Sequence, residues 1–160
     1  MLYKKILSYI FFSLILVVFL IHNSKFTSAG DIKVSDSWAK ESLITGRPGA
    51  VYLTIHNGTP SPITLIGAET VISEKVHIHE SYKENSITKM RPIDKITIAS
   101  GTHFKFQPGA YHFMLTSLKE PLSAKRTFPL ILFFADTEGL PVTVHVTKHS
   151  RNSKKDHHEH

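Results

Sequence analysis

Two histidines and two methionines are spaced along the chain in a way that suits a soft metal ion. Ten residues separate His79 from Met90, twenty-one separate Met90 from His112, and one separates His112 from Met114. Thioether sulfur suits Cu(I), and imidazole binds copper and several other metals. The only other methionine is Met1, so both methionines of the chain body belong to this set. If the four side chains converge, they form a copper site.

Side-chain alternation in a β-strand supports one half of this site. His112 and Met114 are two residues apart, so on a strand they share a face and their Cα atoms lie about 6.5–7 Å apart. Metal–ligand bonds of about 2.0–2.3 Å would let both side chains lean onto one ion. His79 could join from a neighbouring strand and Met90 from the next. Because all four ligands are neutral, the set favours Cu(I) over Zn(II) or Cu(II).

Spacing alone leaves a simpler interpretation open, in which these residues are structural. Methionine is a common gap-filler in cores. His77 shares a strand face with His79 and is interpreted as a surface residue that could also orient a ligand or touch the metal. His145 is predicted to face solvent, and His56 and His103 have no partner that the sequence identifies.

The absence of cysteine excludes two classes of protein. The 160 residues contain none, so no disulfide holds the fold together. Blue-copper electron-transfer sites require a cysteine sulfur on the metal, which excludes an electron carrier of that kind. There is no thiol nucleophile either, and no serine–histidine–acid set can be identified. The sequence therefore predicts a binding protein and not an enzyme.

The net charge of +6 comes mostly from the two ends of the chain. Residues 1–29 contain three lysines and no acid, and residues 148–160 contain four basic and two acidic residues. Residues 30–147 contain 12 basic and 11 acidic residues. Because nucleic-acid binding needs a basic face on the folded domain, the sequence gives no support for nucleic acid as a partner.

The N-terminal segment is typical of an exported protein. Lys4 and Lys5 precede an apolar stretch at 6–21, and Thr27-Ser28-Ala29 offers a small-residue cleavage site. This stretch of 16 residues, interrupted only by Ser8 and Ser13, falls short of the roughly 20 that span a bilayer. We predict that residues 1–29 are a signal peptide, with an uncleaved inner-membrane anchor as the alternative, and that the protein is periplasmic.

The body of the chain, residues 30–147, is predicted to be one all-β domain. Short runs rich in β-branched and aromatic residues alternate with turn residues, which is typical of a Greek-key β-sandwich. Trp38 and Tyr52 are interpreted as core residues and not as functional ones. The predicted strands are 32–38, 50–57, 63–68, 76–80, 87–91, 102–106, 111–117, 128–134 and 142–147.

The C-terminal tail, residues 148–160, is rich in histidine. Clustered imidazoles and carboxylates suit Cu(II) or Zn(II), so the tail is a second candidate site. The alternative is a solvated terminus with no metal. The candidate ligands of this Cu(II) site are His149, His157, His158 and His160.

Four further blocks make the chain similar to a known family. They are Asp36-Ser37-Trp38-Ala39, residues 50–57, Lys89-Met90-Arg91-Pro92 and residues 108–115. Over residues 31–147 the chain resembles the PCu(A)C family of periplasmic copper chaperones, formerly described as DUF461. The His-x10-Met-x21-His-x-Met pattern of that family matches the two histidines and two methionines residue for residue.

The resemblance implies a cupredoxin-like β-sandwich that binds one Cu(I) through His79, Met90, His112 and Met114. It also implies delivery of copper to the CuA centre of cytochrome c oxidase, and we predict that the protein is a monomer. The acceptor would be subunit II of the oxidase or another periplasmic copper chaperone. Periplasmic copper storage or detoxification without a dedicated target is the alternative. Family members often have extra methionines where this chain has Ser81 and Thr88.

Overall fold

The computed structural model describes residues 31–44 and 46–148, and over these residues the chain forms β-strands and no helix. The predicted signal peptide and residues 149–160 of the His-rich tail, which include its four candidate ligands, lie outside the described residues. No helix that could span a membrane occurs in the described part of the chain. The strands are β1 (Ile32–Lys40), β2 (Gly49–Asn57), β3 (Ile63–Glu69), β4 (Ser73–Glu84), β5 (Ile87–Pro92), β6 (Ile96–Ile98), β7 (His103–Phe106), β8 (Tyr111–Leu118), β9 (Thr127–Phe134) and β10 (Thr137–Thr147).

All nine strands predicted from the sequence are present, and the structure adds β6. That strand has three residues, two buried isoleucines around an exposed threonine, which is too short a run to show an alternating pattern. Strand β10 begins five residues earlier than predicted, and Glu138 and Gly139 belong to it. A Cβ on Gly139 would lie 2.8 Å from the Ile131 side chain of β9, so a larger residue here would have to displace that side chain.

The strands form one continuous sheet in the order β5-β4-β8-β2-β1-β10-β9-β3-β6, with β7 paired to β2. All pairs are antiparallel except β1 with β10, which is parallel. The inward faces of its two halves contribute to one hydrophobic core. Phe113 and Val51 come from the first half, and Leu130 and Leu132 come from the second. The prediction of an all-β sandwich is confirmed.

Strand β8 shows how alternation separates the core from the opposite face. Phe113 and Leu115 are fully buried, and the Phe113 ring stacks on Phe106 with centroids 4.4 Å apart. His112 and Met114 alternate with them and therefore point to the other face of the sheet. The same alternation on β4 places buried Ile78 towards the core and His79 on that other face.

A β-bulge in β1 changes the face of the sheet to which the Trp38 side chain points. The pairing with β2 shifts by one residue between Ser35 and Trp38, and Asp36 within the shift has a φ of 53°. An extra residue reverses which side chains point to the core. Val34 before the bulge packs against the core, whereas Trp38 after it lies opposite Tyr52 on the face that carries His112.

Candidate metal centre

The four predicted ligands lie on one face of three adjacent strands, β5, β4 and β8. His79 of β4 lies directly opposite His112 of β8, and Met114 lies opposite His77. Met90 of β5 lies opposite Ser81, two residues along β4 from His79. Because the register has no shift across these strands, alternation places all four side chains on the same face.

His79 and His112 form the centre of this group. Their ring centroids are 5.8 Å apart at an interplanar angle of 65°. A metal–nitrogen bond of about 2 Å places a ring centre about 3 Å from the ion, so two rings that share an ion lie no more than about 6 Å apart. The imidazole pair is therefore within the range for a shared metal. His112 is 7% exposed, so the centre is only partly open to water.

The two methionines differ in position and exposure. Met114 is half-buried on β8. Met90 is 59% exposed on β5, a strand at the end of the sheet in which every residue is exposed. Along the strands the two lie on opposite sides of His79. The structure thus brings together both histidines and Met114, and it places Met90 at the rim.

The nitrogen atoms of the two histidines suit metal binding in different ways. His112 Nδ1 lies 3.4 Å from the carbonyl oxygen of Ala110. We assign the Nδ1–H tautomer from this contact, which leaves Nε2 free as a ligand. His79 Nδ1 is buried with no hydrogen-bond partner. A buried polar atom without a partner is costly, and a bound ion would satisfy it.

Burial lowers the pKa of both imidazoles and so favours their neutral form. Burial lowers the pKa of His79 below its usual value, and the nearby His112 and His77 lower it further. Burial also lowers the pKa of His112, against the opposing effect of its hydrogen bond to Ala110. Metals bind the neutral form of histidine, so both shifts favour metal binding.

No group of three His, Cys, Asp or Glu side chains within residues 31–44 and 46–148 is arranged to hold a metal ion. A metal at this face would therefore need thioether ligands as well as imidazoles, unless side chains rotate. Neutral nitrogen and sulfur ligands without a carboxylate favour a soft, singly charged ion. The chemistry of this donor set fits Cu(I).

A row of polar side chains crosses the same three strands on the opposite face. Glu80 lies opposite Arg91 of β5 and opposite Tyr111 of β8. Its carboxylate accepts a hydrogen bond of 2.8 Å from the Tyr111 hydroxyl and pairs with the Arg91 guanidinium at 2.6 Å. The Tyr111 bond, followed by Arg91, lowers the pKa of Glu80.

Each member of this row is the chain neighbour of a predicted ligand, so the row fixes the register that aligns the ligands. Sequence reasoning missed it. The sequence did contain a signal for this row, because three of the four predicted ligands have a charged or hydroxyl-bearing residue next to them in the chain. These neighbours are Glu80, Arg91 and Tyr111.

Comparison with protein families matches residues 32–146 to the LpqE-like family, described as "Putative lipoprotein LpqE-like". This match covers well over half of the chain. The chain belongs to the LpqE-like family. This is the PCu(A)C or DUF461 group of proteins, so the family predicted from the sequence is confirmed. A comparison with curated proteins gave no significant match.

Solved structures show which fold this LpqE-like domain shares. A structure described as the copper-bound PCuAC domain from PmoF2 is 18% identical, with a TM-score of 0.62 over 74% of this chain and 94% of that one. The solution structure of CuI-DR1885 from Deinococcus radiodurans is 28% identical, with a TM-score of 0.54 over 79% and 86% of the two chains. The predicted cupredoxin-like fold is confirmed.

An aromatic row extends from the copper-ligand candidates of the LpqE-like domain into its interior. The Tyr52 ring lies 6.3 Å from that of His112, and the Trp38 ring lies 4.5 Å from that of Tyr52. Burial raises the pKa of Tyr52 above its usual value. Both residues were predicted to belong to the core. Trp38 is buried, with 6% of its surface exposed. It also stands at one end of the aromatic row, and the candidate ligand His112 stands at the other end.

We expect copper bound at His112 to quench the fluorescence of Trp38. The protein has a single tryptophan, so its emission reports on this row alone, and copper quenches indole emission at short range. Titration of the copper-free protein should lower the emission until one equivalent is bound. The His112→Ala variant is the control, and equal quenching in that variant would contradict the assignment.

The copper-free domain should lose stability as the pH falls through about 6.5, the usual pKa of histidine. The pKa values of His79 and His112 are lowered in the folded state. Between the folded and unfolded pKa values the unfolded chain binds more protons, so the free energy of unfolding decreases as the pH decreases. Urea denaturation at pH 7.5, 6.5 and 5.5 measures this. A His79→Gln, His112→Gln double variant should show a flatter dependence, and an equally steep one would refute the cause.

Apart from His77, the other strand histidines of the described residues belong to β2, β7 and β10. His56 and His103 lie opposite each other on β2 and β7 and stack with centroids 4.3 Å apart. His56 and His103 are therefore partners of each other, a pairing that the sequence did not reveal. His145 on β10 is exposed, as predicted.

Proposed function

We propose that this domain is a periplasmic copper chaperone that binds one Cu(I) through His79, Met90, His112 and Met114. The observation that carries the proposal is the imidazole pair of His79 and His112, with ring centroids 5.8 Å apart. Both thioethers lie on the same face of the sheet. Copper is the cargo of this site, and no chemical reaction is assigned to the domain.

The chemistry of such a site is ligand exchange. The four neutral ligands leave the single positive charge of Cu(I) uncompensated, so a ligand of an acceptor protein can compete for it. Met90 is the most exposed of the four, at 59%, on a strand at the end of the sheet. We infer that the acceptor approaches on this side and that Met90 is the first ligand to be displaced.

The relatives support the choice of metal. One solved PCuAC domain is described as copper-bound and another similar protein as the CuI form. The family match over residues 32–146 includes all four candidate ligands. Copper binding by these proteins agrees with the soft donor set of this domain. It also agrees with a role in carrying copper and not in catalysing a reaction.

For the acceptor we propose subunit II of cytochrome c oxidase, at its CuA centre, or another periplasmic copper chaperone. Deletion of the gene, followed by measurement of CuA content at low copper, tests delivery. Reduced CuA content, restored by the intact gene and not by a His112→Ala copy, is the expected result. Normal CuA content with raised copper sensitivity would instead support storage or detoxification.

We further propose that residues 1–29 direct the protein to the periplasm and that the tail captures Cu(II). The tail ligands would be His149, His157, His158 and His160. Removal of residues 149–160 should weaken Cu(II) binding and leave Cu(I) binding nearly unchanged. Equal Cu(II) binding by the shortened and full chains would refute the role of the tail.

A further inference from the structure

A third imidazole belongs to the same face as the candidate copper ligands. His77 lies directly opposite Met114, and the next pair on this face places His79 directly opposite His112. Directly opposite side chains in an antiparallel pair have Cβ atoms about 4.5–5.5 Å apart. His77, His79, His112 and Met114 therefore form a compact two-by-two block of metal-binding side chains.

The His77 ring lies nearly as close to the His79 ring as the His112 ring does. The His77 and His79 ring centroids are 6.1 Å apart at 42°, against 5.8 Å for His79 and His112. Both separations lie near the limit of about 6 Å for two rings that share an ion. The three imidazoles are not arranged to hold an ion in the side-chain conformations of the described structure. Because His77 is exposed, its side chain can rotate towards the ion without disturbing the core.

Met90 lies outside this block. It is opposite Ser81, on the far side of His79 from Met114, and belongs to the outer strand β5. Two alternative sets of four ligands can therefore be drawn on this face. They share His79, His112 and Met114, and they differ in whether the fourth ligand is the imidazole of His77 or the thioether of Met90.

The two sets differ in the oxidation state of copper that they favour. Thioether sulfur is a soft donor that selects Cu(I), whereas imidazole suits Cu(II) as well. Exchange of one thioether for an imidazole changes a set of two nitrogens and two sulfurs into one of three nitrogens and one sulfur. The second set is the better match for Cu(II).

We propose that His77 completes a second ligand set, with His79, His112 and Met114, that holds Cu(II) at the site where Met90 completes the Cu(I) set. This inference rests on the proposed function, because the two sets share three ligands. It gives the domain one site that keeps copper bound in either oxidation state. It also gives His77 a role that the family pattern of two histidines and two methionines does not include.

The test compares reciprocal variants in the full-length protein. Its background carries serine in place of the tail histidines, so that the tail does not compete for Cu(II). Cu(II) affinity is measured by chelator competition, and the nitrogen ligands are counted by electron paramagnetic resonance. Cu(I) affinity is measured by chelator competition without oxygen. The background substitutions are His149→Ser, His157→Ser, His158→Ser and His160→Ser.

His77→Ala should lower Cu(II) affinity by about tenfold or more, lower the nitrogen count from three to two, and change Cu(I) affinity by less than about twofold. Met90→Ala should do the reverse, with a loss of Cu(I) affinity and unchanged Cu(II) binding. His103→Ala, at another exposed strand histidine, is the matched control and should change neither.

Unchanged Cu(II) affinity and nitrogen count in His77→Ala would overturn the inference. Absence of Cu(II) binding in the background protein would also overturn it. In both cases a loss of Cu(I) affinity in Met90→Ala would leave the proposed Cu(I) site standing. Unchanged Cu(I) affinity in Met90→Ala would instead count against the proposed Cu(I) ligand set, whatever the result for His77.

Discussion

Replacement of His112 by alanine should lower the Cu(I) affinity of the domain by more than about 100-fold. Loss of a residue that merely supports a ligand already costs 10–100-fold in metal affinity, and His112 is proposed as a direct ligand at the centre of the group. Without it, the ring of His79 has no imidazole partner on β8. The two thioethers that remain lie on opposite sides of His79.

Competition with a Cu(I) chelator in the absence of oxygen measures this loss. His145→Ala is the matched control, because His145 is an exposed strand histidine on β10 and should have no effect. Far-ultraviolet circular dichroism of the copper-free variant establishes that the fold is intact. If folded His112→Ala kept wild-type Cu(I) affinity, the proposed site would be wrong.

The second large effect is on stability and concerns Phe113, the residue between His112 and Met114. Phe113→Ala should lower the free energy of unfolding by about 3–5 kcal/mol, the usual cost of removing a buried aromatic ring. The ring is fully buried and stacks on Phe106 at 4.4 Å. On the neighbouring strands its backbone partners are Val51 and Ile78, both of them core residues.

Urea denaturation of the copper-free protein measures this loss of stability. Ile66→Ala is a suitable control, because Ile66 is 49% exposed and surface substitutions change stability by about 0.5 kcal/mol or less. Wild-type stability in Phe113→Ala would show that the β8 alternation is reversed. In that case His112 and Met114 would point into the core and the copper face described here could not exist.

The local sequence pattern was sufficient to predict most of the strands and part of the candidate metal site. Alternating hydrophobicity identified nine of the strands, and it correctly placed His112 and Met114 on the face opposite Phe113. Both results depend on the two-residue period of a strand, which a short stretch of sequence contains in full. Three-residue β6 was missed because its pattern is too short to repeat.

The arrangement around the candidate ligands was not predictable in this way. The pairing of Glu80 with Tyr111 joins strands that are 31 residues apart, and the stack of His56 on His103 joins strands 47 residues apart. Trp38 was assigned to the core and is buried, but the bulge in β1, which no sequence rule places, turns it to the face that carries His112. Each of these contacts depends on the register between distant strands.

The sequence by itself determined the type of fold and the donor chemistry: an all-β domain without cysteine, with two imidazoles and two thioethers that suit Cu(I). Only the tertiary structure decided how those donors are arranged. It places His112 beside His79, Met114 beside His77 and Met90 on an exposed outer strand. The reason is physical, because residue type sets the affinity of each donor for a metal, whereas strand register sets which donors can reach the same ion.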